Sequence, residues 1–420
     1  MASNAIADSP LTLQDVDLEQ RVPPAGLAEI QVITDRAAHV LQAAVNAALA
    51  PDLKKTLRKW NQTETANILG ISRQTLDRWL DEEGVPTGER PAGKGHRLFS
   101  LEEIHKIQEI KGLRPWRDPK TDACMVLAFA NFKGGVAKST TAVACAQFLA
   151  RKGYRILFVD VDPQASSTTA FGFRPDQDIE AHQTMGPWLR GPKFVEDPSD
   201  WTGTLASAIQ PTYWHGLDLI AGNLALYGTE FALASRRLQD PYFNFYRVMS
   251  EGFATVKSRY DIIIIDTPPS LSYLTTNAIF AADGLIMPVP PAMLDFASSV
   301  SFFRLLTELL GFINKIEELP KVYRFVAALV TKMEPKKPEH VAIEDWLRSA
   351  FSNRLLRGTI GLSSVIKLGE DIRTPYEMDK CDGDRRTLQR ALDFLDPVNL
   401  EIEQLVRSQW PSTRGKDNSA

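Results

Sequence analysis

The spacing of apolar positions changes character twice along the chain. Residues 1–23 are polar and acidic without a sustained period and end at Pro23-Pro24, which predicts a loose arm. From Ala25 to Leu49, Leu27, Ile30, Thr34, Ala37, Leu41, Ala44 and Ala48 recur on one helical face, and Pro51 ends the segment. Two readings fit that stripe, a helix packed on its own chain or a dimerisation helix ahead of the next domain. Spacing alone does not say where a face is buried. The block Trp60–Leu113 then reads as a small helical domain. Asn61 with Glu64 forms a capping-box pattern, so a helix starts there and runs to about Leu69, with Gly70 allowing a tight turn. Ser72 caps a second helix from Arg73 to about Glu83 that closes at Gly84, and Ser100 with Glu103 starts a third.

Beyond Gly112–Thr121, a Pro-punctuated charged linker, the rhythm becomes strand–helix–strand. Met125–Asn131, Tyr154–Asp160 and Tyr260–Asp266 are near-continuous aliphatic runs, and Thr140–Lys152 has helical spacing. Buried strands alternating with helices predict an α/β fold with a mostly parallel sheet flanked by helices. A last helix is expected around Pro397–Trp410.

A length of 420 residues suggests two or three domains, and 44% hydrophobic residues suffice for real cores. No apolar run approaches a membrane span and the N-terminus lacks a signal pattern, so a cytoplasmic protein is expected. Cys124, Cys145 and Cys381 give neither a disulfide framework nor a zinc spacing. The net charge of -4 argues against nucleic acid only until it is resolved along the chain. Residues 1–53 carry -5, residues 54–120 carry +4 and the remainder carries -3. The basic excess sits in one block, and DNA responds to local charge.

In that block the order is short helix, Gly-containing turn, second helix with Arg73, Gln74, Thr75 and Arg78, then a Gly/Pro-punctuated stretch with Arg90, Lys94, His96 and Arg97. It resembles a MerR-type winged helix-turn-helix and is expected to be all-α. Arg73, Gln74, Thr75 and Arg78 would face the major groove, where Arg and Gln make bidentate base contacts, while Lys94 and Arg97 would track phosphates. Asp77, Asp81, Glu82 and Glu83 leave open a helical domain with a merely solvated polar face.

The segment Asn131-Phe132-Lys133-Gly134-Gly135-Val136-Ala137-Lys138-Ser139-Thr140 follows a strand and opens a helix. Glycines there let backbone N–H groups turn inward around phosphate oxygens at a helix N-terminus. Lys138 would reach the β/γ-phosphates and Ser139 a Mg2+ ion. The spelling K-G-G-x-x-K-[ST] is similar to the deviant Walker A signature of the ParA/MinD group. That resemblance makes Lys133, Gly134, Gly135, Val136, Ala137, Lys138, Ser139 and Thr140 the nucleotide-binding set. It also implies that Lys133 crosses a homodimer interface to the partner's ATP. Ala137 stands where most of these proteins have glycine, and a positive φ there would cost about 1 kcal/mol.

Asp160-Val161-Asp162-Pro163-Gln164 and Asp266-Thr267-Pro268-Pro269-Ser270 end two strands, where carboxylates point into the ligand crevice. By resemblance to the motif D-x-D-P-Q, Asp162 orients the attacking water and Asp160 supports Mg2+ or the switch structure. Asp162 could equally cap the next helix. Asp266, after four isoleucines, is in the Walker B arrangement and would share Mg2+ with Ser139. Leu217–Ile220, Asn223–Leu226 and Leu362–Glu370 look like later segments of the same family, so the likeness covers roughly residues 122–410. With the N-terminal helix it points to large plasmid-type ParA proteins, including RepA proteins of repABC replicons.

The chain thus reads as five parts: an arm and helix (1–53), the winged helix-turn-helix (54–113), a linker (114–121), the ATPase domain that the resemblance covers (122–410) and a tail (411–420). The resemblance implies Mg2+ and ATP as cofactors, Lys133, Lys138 and Asp162 in catalysis, and slow hydrolysis stimulated by a ParB-type partner and DNA. Operator binding and nucleoid association belong to the same picture. Arg354, Arg357, Lys367 and Arg373 are candidates for non-specific DNA contact, or an ordinary solvated surface. The C-terminus lacks the basic amphipathic helix of membrane-bound relatives, so no membrane partner is expected. A repressor that uses the ATPase fold only as a nucleotide sensor is the alternative.

Overall fold

A computed structural model describes residues 26–48, 55–91, 95–114, 116–195, 197–366, 373–379 and 385–413. The chain divides into two compact units, Met1–Lys54 and Lys55–Ala420. The first is described through α1 (Leu27–Ala48), which matches the expected helix. Leu27, Ile30, Thr34 and Ala37 of its stripe are exposed, while the side chains of Leu41, Ala44 and Ala48 lie outside the described set. The expected arm at 1–23 also lies outside the described residues, as does most of the tail.

The second unit begins with a small domain of β1 (Trp60–Asn61), α2 (Gln62–Leu69), α3 (Arg73–Leu80), β2 (Leu98–Phe99) and α4 (Leu101–Ile110). Both expected capping boxes are formed, by Asn61 with Glu64 and by Ser100 with Glu103, and Ser72 accepts from Thr75 N. Gly70 takes the left-handed conformation (φ 70°) that a residue with a side chain would resist. Helix α3 ends at Leu80, short of Glu83, because the chain turns back there to bury Val85. The domain is not all-α as expected: β1 pairs antiparallel with β2, burying Trp60 and Phe99, and a bridge between Glu89 and Leu98 closes the wing.

The larger part contains β3 (Met125–Phe129), α5 (Lys138–Arg151), β4 (Ile156–Asp160), α6 (Ser166–Ala170), α7 (Gly186–Arg190), β5 (Gln210–Pro211) and β6 (Leu217–Ile220). It continues through α8 (Leu226–Gln239), α9 (Val248–Val256), β7 (Ile262–Asp266), α10 (Tyr273–Ala281) and β8 (Gly284–Val289). It ends with α11 (Met293–Ile313), β9 (Phe325–Val330), α12 (Pro338–Phe351) and α13 (Arg385–Arg407). The sheet order is β5-β6-β4-β7-β3-β8-β9, parallel except for β5. Alternate residues go to opposite faces. Leu127, Phe129, Phe158 and Ile264 join the core under α5, whereas Val126, Ala128, Val159 and Ile265 join the core with α9, α10 and α11.

Other expectations change as well. The last helix starts at Arg385, well before Pro397, and runs through that proline. Burial of Leu388, Ala391 and Leu395 before it and Val398, Ile402 and Val406 after it outweighs one lost hydrogen bond. Also, α11 is long and apolar enough to cross a membrane by length and composition. Here it is the crossover between the paired strands β8 and β9, with Phe302, Leu306 and Ile313 buried.

The segment expected as a linker is packed against the ATPase part. Trp116 donates to Lys152 O at 2.8 Å and stacks on Tyr154. Arg117 is buried against Asp261 (3.1 Å) and donates to Asp122 O at 2.9 Å. From α4, His105 Nε2 meets Ala150 O at 2.9 Å and Gln108 donates to Lys152 O at 3.1 Å. These donors reach carbonyls at and just beyond the end of α5, adding to the Gly153 N–H bond at Ala150 O and capping Lys152 O. The helix-turn-helix is therefore docked on the C-terminal end of α5, and its core is continuous with that of the sheet.

Burial, then the charges of Arg114 and His215, push the His105 imidazole down to about 3. The unfolded chain takes up a proton near 6.5 that the folded chain refuses, so stability is lost as pH falls from about 6.5 toward 4. The slope should approach about 1.4 kcal/mol per pH unit. His105→Gln, which keeps a donor for Ala150 O, should flatten it. Urea midpoints for both proteins between pH 7 and 4 check this, and identical slopes would count against it.

Candidate nucleotide and nucleic-acid sites

β7 lies between β3 and β4, and its register sets Asp266 beside Phe129 on one side and Asp160 on the other. Two carboxylates and the start of the phosphate loop thus meet at the carboxyl edge of the sheet, where parallel folds bind ligands. The loop is tied down at its first residue. Asn131 donates to Pro288 O at 2.8 Å and accepts from Lys133 N at 3.1 Å. Gly135 and Ala137 both have left-handed backbone, with φ 72° and 71°. The alanine therefore carries the strain that its departure from glycine implied.

Lys138 is buried, and its ammonium donates to Lys133 O at 3.0 Å. Burial lowers its pKa, while the charges of Asp266 and Asp162 oppose that shift. Lys133 is half-buried and paired within its own chain, Nζ to Asp295 at 2.7 Å. Asp295 lies in the first turn of α11 and went unnoticed in the sequence, since a contact across 162 positions leaves no local signal.

Asp266 is fully buried, and one oxygen accepts from Ser167 Oγ at 2.7 Å. The other, Oδ1, has no hydrogen-bond partner. Burial raises this carboxyl to about 6, against the pull of the neighbouring Ser139 and Ser167 hydroxyls. An unpartnered carboxylate oxygen beside the Ser139 hydroxyl suits one hard divalent cation that takes its remaining ligands from phosphate and water. Among the described residues there is no group of three His, Cys, Asp or Glu side chains able to hold a metal alone.

Asp160 is engaged differently. Oδ2 accepts from Thr168 N (2.9 Å) and Thr168 Oγ1 (2.8 Å), and Oδ1 accepts from Asp162 N (3.1 Å). It satisfies an open N–H in the first turn of α6, the capping duty that sequence reading offered to Asp162. Burial and Asp266 raise its pKa well above the ordinary range. Asp162 is free of that duty, with one oxygen accepting only from Gln164 N at 3.0 Å. Ser167 and Thr168, missed in the sequence, form the short hydroxyl row that binds both strand-end aspartates. At the end of β9, Thr331 and Lys332 bond to the phosphate loop itself.

On the small domain Arg73, Gln74 and Arg78 are exposed. Thr75 is half-buried, within 2.9 Å of the Ser72 hydroxyl and accepting from Arg78 at 3.4 Å. Arg90 is exposed and Arg97 half-buried on the wing, and Lys94 lies outside the described residues. Arg354, Arg357 and Arg373 are exposed elsewhere, and Lys367 lies outside the described residues. Arg73, Gln74, Thr75 and Arg78 share α3, whereas Arg90 and Arg97 belong to the wing and Arg354, Arg357 and Arg373 to segments far along the chain.

Residues 124–318 match the family described as an AAA domain, and residues 61–120 match the MerR HTH family regulatory proteins. A putative replication protein A from Sinorhizobium fredii (strain NBRC 101917 / NGR234) is 33% identical over 376 residues, covering 86% of this chain and 89% of the relative. Protein SopA of Escherichia coli (strain K12) is 30% identical over 376 residues, covering 86% and 92%. A solved structure titled "Partition Protein" shares the fold, with a TM-score of 0.64 over 90% of this chain and 98% of that one, at 20% identity. With a deviant phosphate loop, two aspartate-bearing strand ends and a helix-turn-helix in one polypeptide, the chain belongs to the ParA-type partition ATPases.

Proposed function

We propose that this ATPase binds ATP with Mg2+, closes into a homodimer, binds DNA in that form and hydrolyses ATP slowly until a ParB-type partner stimulates release. The observation that carries the reading is the buried, unpartnered Asp266 oxygen beside Ser139, under a loop whose Lys138 is held ready. Ser139 and Asp266 would hold Mg2+, which when bound supplies positive charge against the phosphates. Lys138 adds a second positive charge, and Asp162, with little other engagement, orients water. Asp160 holds α6 in place. The helix-turn-helix would bind an operator, its Arg73, Gln74 and Arg78 exposed for base contact. Such a protein acts in the cytoplasm on nucleoid DNA. A pure repressor would retain operator binding and show no hydrolysis with or without DNA and partner.

The dimer role of Lys133 competes with Asp295. The pair holds the Lys133 ammonium against its own chain, so it favours the open state, and closure has to loosen it before the lysine can reach across. Asp295→Ala should lower the ATP concentration at half-maximal dimerisation about two- to fivefold, read by analytical ultracentrifugation. An unchanged midpoint would remove Asp295 from the switch.

Lys138→Ala should abolish ATP-dependent DNA binding in a filter-binding assay, and unchanged binding would sink the mechanism. Asp266, with its pKa raised, is destabilising when ionised in the nucleotide-free protein. Asp266→Asn should therefore stabilise that form at pH 7 by about 1–3 kcal/mol. Mg2+-dependent nucleotide affinity of the parent should weaken as pH drops through about 6, because protonation removes the ligand charge. The variant should have lost the Mg2+ dependence altogether. Calorimetric titrations at pH 7.5 and 5.5 test both, and a variant still responding to Mg2+ would contradict the assignment.

A further inference from the structure

The phosphate loop is held from outside as well as from within. Thr331 Oγ1 donates to Val136 O at 3.0 Å, and Lys332 Nζ donates to Gly135 O. Both side chains come from the end of β9, two strands away from β3. In a trans peptide the N–H points opposite to the C=O. Holding the carbonyls of Gly135 and Val136 toward β9 therefore aims the N–H groups of Val136 and Ala137 the other way. That is the side on which β7 and β4 bring Asp266 and Asp162.

A second observation concerns strain. Ala137 occupies left-handed backbone that disfavours any residue with a Cβ, by about 1 kcal/mol or more. Lys332 itself has φ 55°, one of only four non-glycine residues with positive φ among those described. Strained backbone persists where surrounding contacts over-determine it.

We propose that Thr331 and Lys332 are positioning residues, an external clamp that holds two successive peptide planes of the phosphate loop in the anion-binding orientation and offsets the cost of alanine at position 137. This rests on the nucleotide-binding reading above and deepens it. The clamp acts on loop population. Without it, the alanine-bearing loop spends less time with its N–H groups converging, and apparent affinity falls by that fraction. With glycine at position 137 the same orientation is intrinsically easier, so the clamp matters less.

The test is binding of a fluorescent ADP analogue to the full chain. Thr331→Val should weaken binding about three- to tenfold, as expected for one lost hydrogen bond. Thr331→Ser should stay within twofold of the parent, and Lys332→Ala should resemble Thr331→Val. In an Ala137→Gly background the Thr331→Val loss should shrink to about twofold or less. In hydrolysis assays the change should appear in KM more than in kcat. Equal losses in both backgrounds would mean that Thr331 touches the nucleotide directly and would overturn the clamp. So would a Thr331→Val protein that binds as the parent does. Failure of the parent chain to bind ADP at all would overturn the nucleotide reading instead. Should Thr331→Val fail to fold, Lys332→Ala against Lys332→Arg in the two backgrounds decides the same point, with an undiminished Lys332→Ala loss in the glycine background overturning the clamp.

Discussion

Helix α5 is the element on which the rest depends, because both of its ends are committed. Its N-terminus carries the phosphate loop, where unsatisfied N–H groups and the helix dipole favour an anion. Carbonyls at and just beyond its C-terminus are taken by His105, Gln108 and Trp116 from the helix-turn-helix side. Fourteen helical residues span about 20 Å, so one rigid rod separates the nucleotide site from the docked DNA-reading domain. α13 packs along that rod, with Lys152 paired to Glu403 at 2.6 Å and Tyr154 donating to the same carboxylate at 2.7 Å.

The second constraint is electrostatic. Parallel register puts Asp160 and Asp266 side by side, both buried, which is unfavourable for two charges. The two carboxylates resolve this differently. Asp160 has both oxygens satisfied, by Thr168 and the backbone of Asp162. Asp266 keeps one oxygen without a donor. That asymmetry separates a carboxylate tied fully into the structure from one that keeps an oxygen unpaired.

Local features were legible in the sequence because they are written at short range. The capping pairs Asn61/Glu64 and Ser100/Glu103, the left-handed Gly70, the aliphatic strands and the K-G-G-x-x-K-S loop are patterns within four to ten residues. Features set by distant partners were not. Nothing near Lys133 indicates Asp295, and nothing near Trp116-Arg117 indicates that a Pro-flanked charged stretch will be buried against Lys152 and Asp261. Pro397 misled for the same reason. A local rule against proline in helices lost to burial of six apolar side chains around it.

The same long-range logic extends from the site to the start of the second unit. Ser167 of α6 holds Asp266 and Thr168 holds Asp160, while the carbonyl of Ala170 accepts from Lys55 Nζ at 2.7 Å. Lys55 is also paired to Glu377 at 3.0 Å, and Glu377 further accepts from Gln147 of α5, from Tyr213 and from Thr374 N. A buried carboxylate with this many donors is expensive to disturb, since removing one partner leaves charge uncompensated. The residues just before β1 and those around Thr374 are thus bolted to the far end of α6. A displacement of Ser167 from Asp266 must either be absorbed within a five-residue helix or carried to Lys55. A helix that short, closed at one end by Asp160 and at the other by Lys55, has little slack in which to absorb it.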